Sequence, residues 1–313
     1  MSYYKLSDNF NYFFKKLNPS PSFTRVAASE WNTIKNLIED TNGKAAKLSP
    51  ECFLQGSYKQ QTAIYSINDI DIVALCSLWF PGSGMQGSKS YSRDEIFDIV
   101  ASPLKSDGRY KNKVKYNSSS MCIKIDLSIK VEILPAVYAK GNSDPTIEPF
   151  YLYRVKKGKW EQGYARNHQK LLSEKNDIMN TLNHFIPAIK IFKHLRDLNN
   201  LDAVSFHIEC LLFSLPNELF IGSPSEYLPK ILSYISEKSA EDWYGSSLKT
   251  PCGEREIFND DEWNWNNWKK FYESVELWSA LASLAENAKE KERAIDYWKD
   301  LLGNDFFPRK VSL

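Results

Sequence analysis

The sequence lacks the features that place a chain in a membrane or in a secreted, disulfide-bonded class. Its 313 residues contain no uninterrupted apolar run of about 18 residues, the length that a membrane-spanning helix needs. The first residues, MSYYKLSDNF, do not show the basic and then apolar pattern of a signal peptide. The five cysteines are scattered without a C-x-x-C pair, which argues against a zinc site or a disulfide framework. These absences predict a cytoplasmic protein with no membrane partner.

An excess of charge of one sign is also missing. Forty Lys and Arg residues against 39 Asp and Glu residues leave a formal net charge of +1. Proteins that bind nucleic acid through its phosphates usually carry a basic excess, so the balance gives no strong evidence for nucleic-acid binding. Apolar residues make up 42% of the chain and charged residues 25%, which is typical of a globular protein.

One glycine-rich segment, PGSGMQG at residues 81–87, fits the G-x-G-x-x-G pattern of dinucleotide-binding domains. In those domains the glycine turn runs directly into the helix that binds the pyrophosphate. Here a capping box formed by Ser92 and Glu95 predicts a helix that begins several residues later. We therefore interpret the segment as a loop.

The spacing of apolar residues changes along the chain. Residues 26–40 carry a helical stripe, and strand-like segments rich in branched and aromatic residues follow at 69–80 and 119–139. After residue 159 the apolar spacing is helical again. The pattern predicts an α+β protein with a sheet-containing N-terminal part and a C-terminal helical part. The tryptophan-rich segment 263–268 is expected to anchor the C-terminal core, with base stacking or a partner surface as the alternatives.

Two aspartates interrupt the apolar run at the end of FLQGSYKQQTAIYSINDIDIVAL, residues 53–75. Because residues i and i+2 of a strand share a face, Asp69 and Asp71 should project together, while Ile70 and Ile72 project to the other side. Neighbouring carboxylates repel each other unless a cation lies between them, and Mg²⁺ prefers hard oxygen ligands. The pair is thus either the solvated face of an edge strand or a platform for a divalent metal ion.

A Gly-Ser pair upstream favours the metal platform. Gly56 and Ser57 end a short apolar run, which indicates a strand-to-helix turn where backbone amides and a hydroxyl can approach a phosphate. A third carboxylate should come from a neighbouring strand. Glu132 in IKVEILPAV, where Pro135 is expected to end the strand, is one candidate, and Asp126 in IKIDLS is its rival. Phosphate binding beside a metal site indicates phosphoryl transfer.

The strings GSYKQQTAI, DIDIVAL and VEILPAV resemble the polymerase-β-like nucleotidyltransferase superfamily, whose pattern is Gly-Ser, a spacer, D-x-D and a later third acid. Within it the chain looks like the bacterial cGAS/DncV-like nucleotidyltransferases (CD-NTases) of CBASS anti-phage defence. NHQKLLSEKN, IPAIKIFKHLRDL and AVSFHIECLL resemble the helical-lobe pattern of that group, so the resemblance spans residues 50–215. Two departures are Glu132 in place of the usual Asp, and KQQ after Gly-Ser-Tyr where Arg or Gly is common.

The resemblance implies a two-lobed polymerase-β-like fold with a mixed central sheet and a C-terminal helical lobe. The catalytic domain, including the N-terminal helices, would span residues 1–165, and residues 166–313 would form the lobe that closes the nucleotide cleft. The implied activity is Mg²⁺-dependent synthesis of a cyclic di- or oligonucleotide second messenger from nucleoside triphosphates (ATP, with GTP, UTP or CTP as further substrates) in anti-phage signalling.

The resemblance also implies the site residues. Two Mg²⁺ ions, with Mn²⁺ as a substitute, would be bound by the catalytic carboxylates Asp69, Asp71 and Glu132. The phosphate-binding residues would be Gln55, Gly56, Ser57, Lys193 and Ser205. The last two also have ordinary structural interpretations: a solvated helix lysine and a helix N-cap.

Two protein partners are implied as well: a separate effector that reads the product and a regulatory partner. Two alternative functions stay open, a template-independent transferase that modifies an RNA, protein or small-molecule acceptor, and a catalytically dead nucleotide-binding protein. No motif specifies the bases, the ring size or the phosphodiester linkage.

Overall fold

The computed structural model of the chain describes residues 5–77, 91–138 and 148–310. The glycine-rich segment 81–87 and the end of the strand predicted at 69–80 lie outside the described residues. Within the described ranges, no helix has the length and apolar character that a membrane span requires.

The helices of the described ranges include the one predicted from the capping box, which begins at Arg93 directly after Ser92. Their bounds are α1 (Ser7–Leu17), α2 (Pro21–Glu39), α3 (Gly56–Lys59), α4 (Arg93–Ser106), α5 (Ala165–Lys175), α6 (Ile178–Thr181), α7 (Phe185–Leu198), α8 (Ser205–Ser214), α9 (Pro224–Ser236), α10 (Ala240–Tyr244), α11 (Trp265–Glu286) and α12 (Lys291–Leu302).

The strands form one mixed sheet in the order β1-β2-β5-β4-β3, with β6 pairing with both β5 and β7. β2 and β5 run parallel, and the other neighbours are antiparallel. Their bounds are β1 (Pro50–Gln55), β2 (Asp69–Cys76), β3 (Val114–Lys115), β4 (Ile123–Asp126), β5 (Lys130–Tyr138), β6 (Phe150–Arg154) and β7 (Lys159–Gly163). The predicted α+β class with a mixed central sheet is therefore confirmed.

The expectation that Pro135 ends its strand is wrong, because β5 continues to Tyr138 and Pro135 pairs in register with Ala74 of β2. On its other side β5 pairs with β4 up to Ile133 and with β6 from Ala136 onwards. Pro135 lies in the gap between these two partners. Prolines within sheets are found where a strand lacks a neighbour on one side, and Pro135 lies at such a position.

The chain divides into two compact units. The sheet unit contains residues 20–60 and 67–169, and the helical unit contains residues 1–19, 61–66 and 170–313. Helix α1 and the short segment 61–66 therefore belong to the helical unit. The functional division into a catalytic domain at 1–165 and a helical lobe at 166–313 stays a prediction.

The core of the sheet unit lies under one face of the sheet. Alternate residues of β2, including Ile70 and Ile72, are fully buried there with apolar residues of α2 and α4, such as Ile34 and Phe97. Burial of apolar side chains contributes about 25 cal/mol per Å² and fixes which face of β2 points inward. The opposite face of the strand is left for the two aspartates.

The core of the helical unit is rich in aromatic side chains. Trp263 and Trp268 are almost fully buried in it, and their rings meet edge to face with centroids 5.0 Å apart. Trp268 also donates its indole N–H to the carbonyl of Ala240 at 2.9 Å. These contacts support the core interpretation of the tryptophan-rich segment.

Candidate functional site

The candidate site begins with the two aspartates on the polar face of β2. Asp69 and Asp71 are half-buried, and the strand alternates as the sequence predicts. Further along the same face, Val73 and Leu75 are buried in a small apolar cluster that includes Phe150. The aspartates therefore lie at the N-terminal end of a strand whose remaining residues are covered.

The Gly-Ser turn lies directly against these carboxylates. β1 ends at Gln55, which pairs in register with Asp71, and the one-turn helix α3 begins at Gly56. Gly56 has φ +70°, and a Cβ atom there would lie 2.1 Å from Oδ2 of Asp71. Only glycine satisfies both conditions, because the carboxylate occupies the space of a side chain. Ser57 follows half-buried in α3.

The third carboxylate comes from β5. Glu132 pairs in register with Asp71, so both side chains project from the same face of two neighbouring parallel strands. Asp126 of β4 pairs with Lys130, which in turn pairs with Asp69, and this places Asp126 two strands away from the aspartates. The register therefore favours Glu132 over its rival.

The environments of the two candidates differ as well. Asp126 is exposed, and its carboxylate accepts a hydrogen bond from the ammonium of Lys115 at 2.5 Å, which lowers the pKa of Asp126. The carboxylate of Glu132 is less exposed, and its Oε1 lies 2.8 Å from Nζ of Lys124. Asp126 is thus a surface ion-pair partner, whereas Glu132 belongs to the carboxylate group.

Burial, together with repulsion among the carboxylates, perturbs the ionisation of the two aspartates. Burial and the charges of Asp69 and Glu132 raise the pKa of Asp71 from 3.8 to about 7. Burial and the charge of Glu132 also raise the pKa of Asp69. Both shifts indicate that full ionisation of this group is costly without a bound cation.

The chemistry of this donor set fits a hard divalent cation. Mg²⁺ usually takes one or two protein carboxylates and completes its shell with water and substrate phosphates, so Asp69 and Asp71 meet its needs. In the described part of the chain, no three His, Cys, Asp or Glu side chains are already arranged to hold a metal ion. The carboxylate of Glu132 binds Lys124 instead.

Sequence reasoning missed two residues next to Glu132. Lys124 pairs with it across the β4–β5 hairpin. Burial raises the pKa of the Cys122 thiol to about 12, and the charge of Glu132 and a hydrogen bond to it contribute to this rise. A signal was present in the sequence, because the alternation of CIKID places Cys122 and Lys124 on one strand face and the short connection to IKVE sets the register.

The structure places Lys193 away from solvent. Only 2% of its side chain is exposed, and its Nζ lies 2.7 Å from Oε1 of Glu209, whose side chain is 4% exposed. Nζ also donates to the hydroxyl oxygen of Thr62 at 2.9 Å and to its carbonyl at 3.2 Å. A solvated helix lysine is therefore excluded, and the proposed phosphate contact stays a prediction.

Ser205 is the first residue of α8, and the N-cap position is held by Val204, which makes no side-chain cap hydrogen bond. The hydroxyl of Ser205 accepts a hydrogen bond from the guanidinium of Arg196 at 2.9 Å. The N-cap interpretation of Ser205 is therefore wrong by one position, and its phosphate contact also stays a prediction.

Two protein-family models match the chain. One is described as the Second Messenger Oligonucleotide or Dinucleotide Synthetase (SMODS) domain and matches residues 4–176, which is more than half of the chain. The other is described as the cGAS/DncV-like nucleotidyltransferase C-terminal helical domain and matches residues 171–279.

Individual proteins are similar over most of their length. The cyclic AMP-AMP-AMP synthase of Acinetobacter sp. (strain ATCC 27244 / 9458) is 25% identical over 316 residues, which cover 95% of this chain and 83% of the relative. The structure of Rhodothermus marinus CdnE c-UMP-AMP synthase with Apcpp and Upnpp gives a TM-score of 0.66 at 19% identity, covering 88% of this chain and 96% of that one. The E. coli MS115-1 CdnC:HORMA-deltaN complex gives 0.71 at 18% identity, covering 96% and 97%. These likenesses confirm the predicted fold, with its central sheet and C-terminal helical domain.

Proposed function

The chain belongs to the family of second messenger oligonucleotide or dinucleotide synthetases, and on that premise we propose that it is a Mg²⁺-dependent enzyme that joins and cyclises nucleoside triphosphates. Membership confirms the nucleotidyltransferase class and the family predicted from the sequence. The Acinetobacter and Rhodothermus synthases both have AMP in the product that their names state, which supports ATP as one substrate. Anti-phage signalling through a separate effector that reads the product is part of the proposal.

The observation that carries the proposal is the carboxylate group itself. Asp69 and Asp71 share one face of β2, Glu132 stands beside Asp71 on β5, and the backbone of Gly56 lies against Asp71. Three acidic side chains lie together at one end of an apolar strand, and the pKa values of Asp69 and Asp71 are raised. Such a group is expected at a functional site that binds a cation.

The chain's own residues then have distinct roles. Asp69 and Asp71 would hold the divalent cation, which would supply positive charge beside the reacting phosphate groups. Glu132 would be the third ligand, through a carboxylate whose Oε1 lies 2.8 Å from Nζ of Lys124. Gln55 and the Gly-Ser turn orient the triphosphate beside the aspartates. Two ions, with Mn²⁺ as a substitute, are proposed in accordance with the two-metal scheme.

A regulatory protein partner is also proposed. One relative of the same fold was solved as a complex with HORMA-deltaN. The likeness extends over 96% of this chain and 97% of that relative, which supports the proposal. A partner of this kind would set when the synthase is active.

The test is an incubation of the purified protein with all four ribonucleoside triphosphates and Mg²⁺ or Mn²⁺, followed by phosphatase treatment and mass spectrometry. We expect a phosphatase-resistant cyclic mass that contains AMP. Asp69→Ala/Asp71→Ala is the inactive control, and Asp126→Asn removes an exposed acid from the same sheet face without loss of product.

The other outcomes would indicate a different function or a different site. Pyrophosphate release without a cyclic product would indicate a transferase that needs a separate acceptor. No release from the wild type, with nucleotide binding that Asp69→Ala abolishes, would indicate a catalytically dead nucleotide-binding protein. Equal product from wild type and the double variant would contradict the proposed site.

A further inference from the structure

The proposed third ligand has a longer side chain than the other two carboxylates. Asp69 and Asp71 each have two side-chain torsions, whereas Glu132 has three, and 29% of its side chain is exposed. The sheet register fixes the backbone of Glu132 opposite Asp71 but does not by itself fix the end of the side chain. A defined position for this carboxylate therefore depends on contacts from outside its own strand.

Strand β4 supplies these contacts. Ile123 and Ile125 are fully buried in the core of the sheet unit. Because side chains alternate along a strand, Cys122 and Lys124 project from the opposite face, which carries the carboxylates. Lys124 is the direct cross-strand neighbour of Glu132, and its Nζ lies 2.8 Å from Oε1 of Glu132. The thiol of Cys122 also forms a hydrogen bond with Glu132.

The ion pair between Lys124 and Glu132 contributes little to the stability of the fold. The side chain of Lys124 is 57% exposed, and ion pairs open to water are weak because solvent screens the charges and ordering two long side chains costs entropy. Its effect on the position of the carboxylate is a separate matter. A carboxylate has two oxygens and about four lone-pair positions, so the contact at Oε1 leaves capacity for a metal ion. Outer contacts of this kind orient metal ligands.

We infer that Lys124 is a positioning residue, which holds the carboxylate of Glu132 in place for the divalent cation proposed at Asp69 and Asp71. This inference rests on the proposed function. Cys122 adds a second contact from the same strand, and it is weaker because a thiol is a poor donor. The opposite role for Lys124 is a fixed cation that competes with the metal ion for Glu132. The two roles predict changes of opposite sign in metal affinity.

The chain offers a matched control for the loss of charge alone. Lys115 of β3 pairs in register with Lys124, so it projects from the same sheet face. Its ammonium forms an ion pair with Asp126, and its side chain is 67% exposed. Lys115→Met therefore removes one positive charge from this face without removing the ion pair of Glu132. Any general effect of lost positive charge on cation binding is measured by this variant.

The experiment measures the Mn²⁺ affinity of the full chain in the absence of nucleotide, with the free ion followed by electron paramagnetic resonance. The single variants are Lys124→Met, Lys124→Arg and Lys115→Met. Lys124→Met is also made in a Glu132→Gln background, which completes a double-mutant cycle. Melting temperatures test the fold, and pyrophosphate release at saturating Mg²⁺ gives kcat and KM for ATP.

We expect Lys124→Met to lower the Mn²⁺ affinity by about tenfold to 100-fold, the range that follows the loss of an outer contact of a metal ligand. Lys124→Arg keeps a cationic donor and should retain most of the affinity. Lys115→Met, and Lys124→Met in the Glu132→Gln background, should each cost less than about twofold. Melting temperatures should stay close to that of the wild type. In Lys124→Met, kcat should fall by about tenfold or more, with KM for ATP nearly unchanged.

Several results would overturn the inference. A Mn²⁺ affinity of Lys124→Met equal to that of Lys115→Met would reduce the ion pair to a surface contact, and a higher affinity would make Lys124 a competing cation. An equal loss in the wild-type and Glu132→Gln backgrounds would show that Lys124 acts without Glu132. A rise in KM for ATP with unchanged Mn²⁺ affinity would make Lys124 a substrate contact.

Failure of the proposed function would look different. If the wild type releases no pyrophosphate from any triphosphate, the proposed synthesis is wrong, and the Mn²⁺ cycle still decides whether Lys124 positions Glu132. If Mn²⁺ binding to the wild type does not depend on Asp71, the proposed metal site is wrong and the inference is overturned with it.

Discussion

A group of charged side chains that is largely withdrawn from water is found in each of the two units. In the sheet unit, Asp69, Asp71 and Glu132 are all acidic. Among the described residues, Lys124 forms an ion pair with Glu132 and with neither aspartate. In the helical unit, Lys193 and Glu209 neutralise each other. The contrast is between charge that is neutralised within the chain, the balanced group, and charge of one sign that the proposed function assigns to a bound cation, the unbalanced group.

The largest expected effect follows from removing one charge of the unbalanced group. Asp71→Asn should lower the rate of nucleotide joining by at least about 1000-fold, because it removes a proposed metal ligand from the place where transition-state charge would be stabilised. Pyrophosphate release at saturating Mg²⁺ measures this rate. Asp126→Asn, which breaks an exposed ion pair on the same sheet face, should stay within about twofold of wild type. Similar losses in both variants would remove the distinction between the two acids.

The next effect concerns the balanced group. Lys193→Met leaves the carboxylate of Glu209 buried without its counter-charge, and breaking a buried pair in this way costs about 3–5 kcal/mol of unfolding free energy. Chemical denaturation at pH 7 measures the loss. A stability equal to that of wild type would show that the pair is more accessible to water than its burial indicates.

The next effect is that of Gly56→Ala, which should lose less unfolding free energy than Lys193→Met and should strongly lower the rate of nucleotide joining. The new Cβ would lie 2.1 Å from Oδ2 of Asp71, and the residue would have to keep φ +70°. Gly158→Ala is the matched control, since Gly158 has φ +61° and a Cβ added there would have no neighbour within 4 Å. The Gly158→Ala control measures the cost of the positive φ alone, which is on the order of 1 kcal/mol of unfolding free energy. An activity of Gly56→Ala equal to that of the control would show that contact with Asp71 is unimportant.

The smallest effect is a pH dependence of the metal-free protein. The pKa of Asp71 is raised from 3.8 to about 7, so the stability associated with its protonated form is complete below 3.8 and is lost as the pH rises through 7. Asp71→Asn should therefore stabilise the metal-free protein at pH 8, by roughly 2 kcal/mol after relaxation of the site, and leave it nearly unchanged at pH 4. The measurement compares the melting temperatures of wild type and Asp71→Asn at the two pH values, with a chelator present. Destabilisation at pH 8 would contradict the assigned repulsion.

The sequence predicted the parts of the site that depend on local periodicity. Alternation along β2 places Asp69 and Asp71 on one face, and the Gly-Ser pair indicates the turn between β1 and α3. The parallel pairing of β2 with β5, which brings Glu132 beside Asp71, does not follow from local periodicity, because α4, β3 and β4 lie between these strands in the chain. The conformational reason for Gly56 was not foreseen, because the contact with Asp71 joins residues 15 positions apart.

The sequence could not predict the environment of Lys193. Its partners Thr62 and Glu209 lie 131 and 16 residues away along the chain, and no periodicity connects them. A lysine on an amphipathic helix is usually solvated, so only the packing of three distant segments reveals the ion pair. Pro135 shows the same limit, since the gap between β4 and β6 beside it exists only in the folded sheet.

Binding of a divalent cation by the unbalanced carboxylates is tested most directly by an equilibrium titration with Mn²⁺ in the absence of nucleotide, with the free ion followed by electron paramagnetic resonance. We predict saturable binding to the wild type, a loss of affinity of at least about tenfold in Asp71→Asn, and unchanged affinity in Asp126→Asn. Equal affinity in wild type and Asp71→Asn would show that these carboxylates do not bind a divalent cation and would contradict the proposed site.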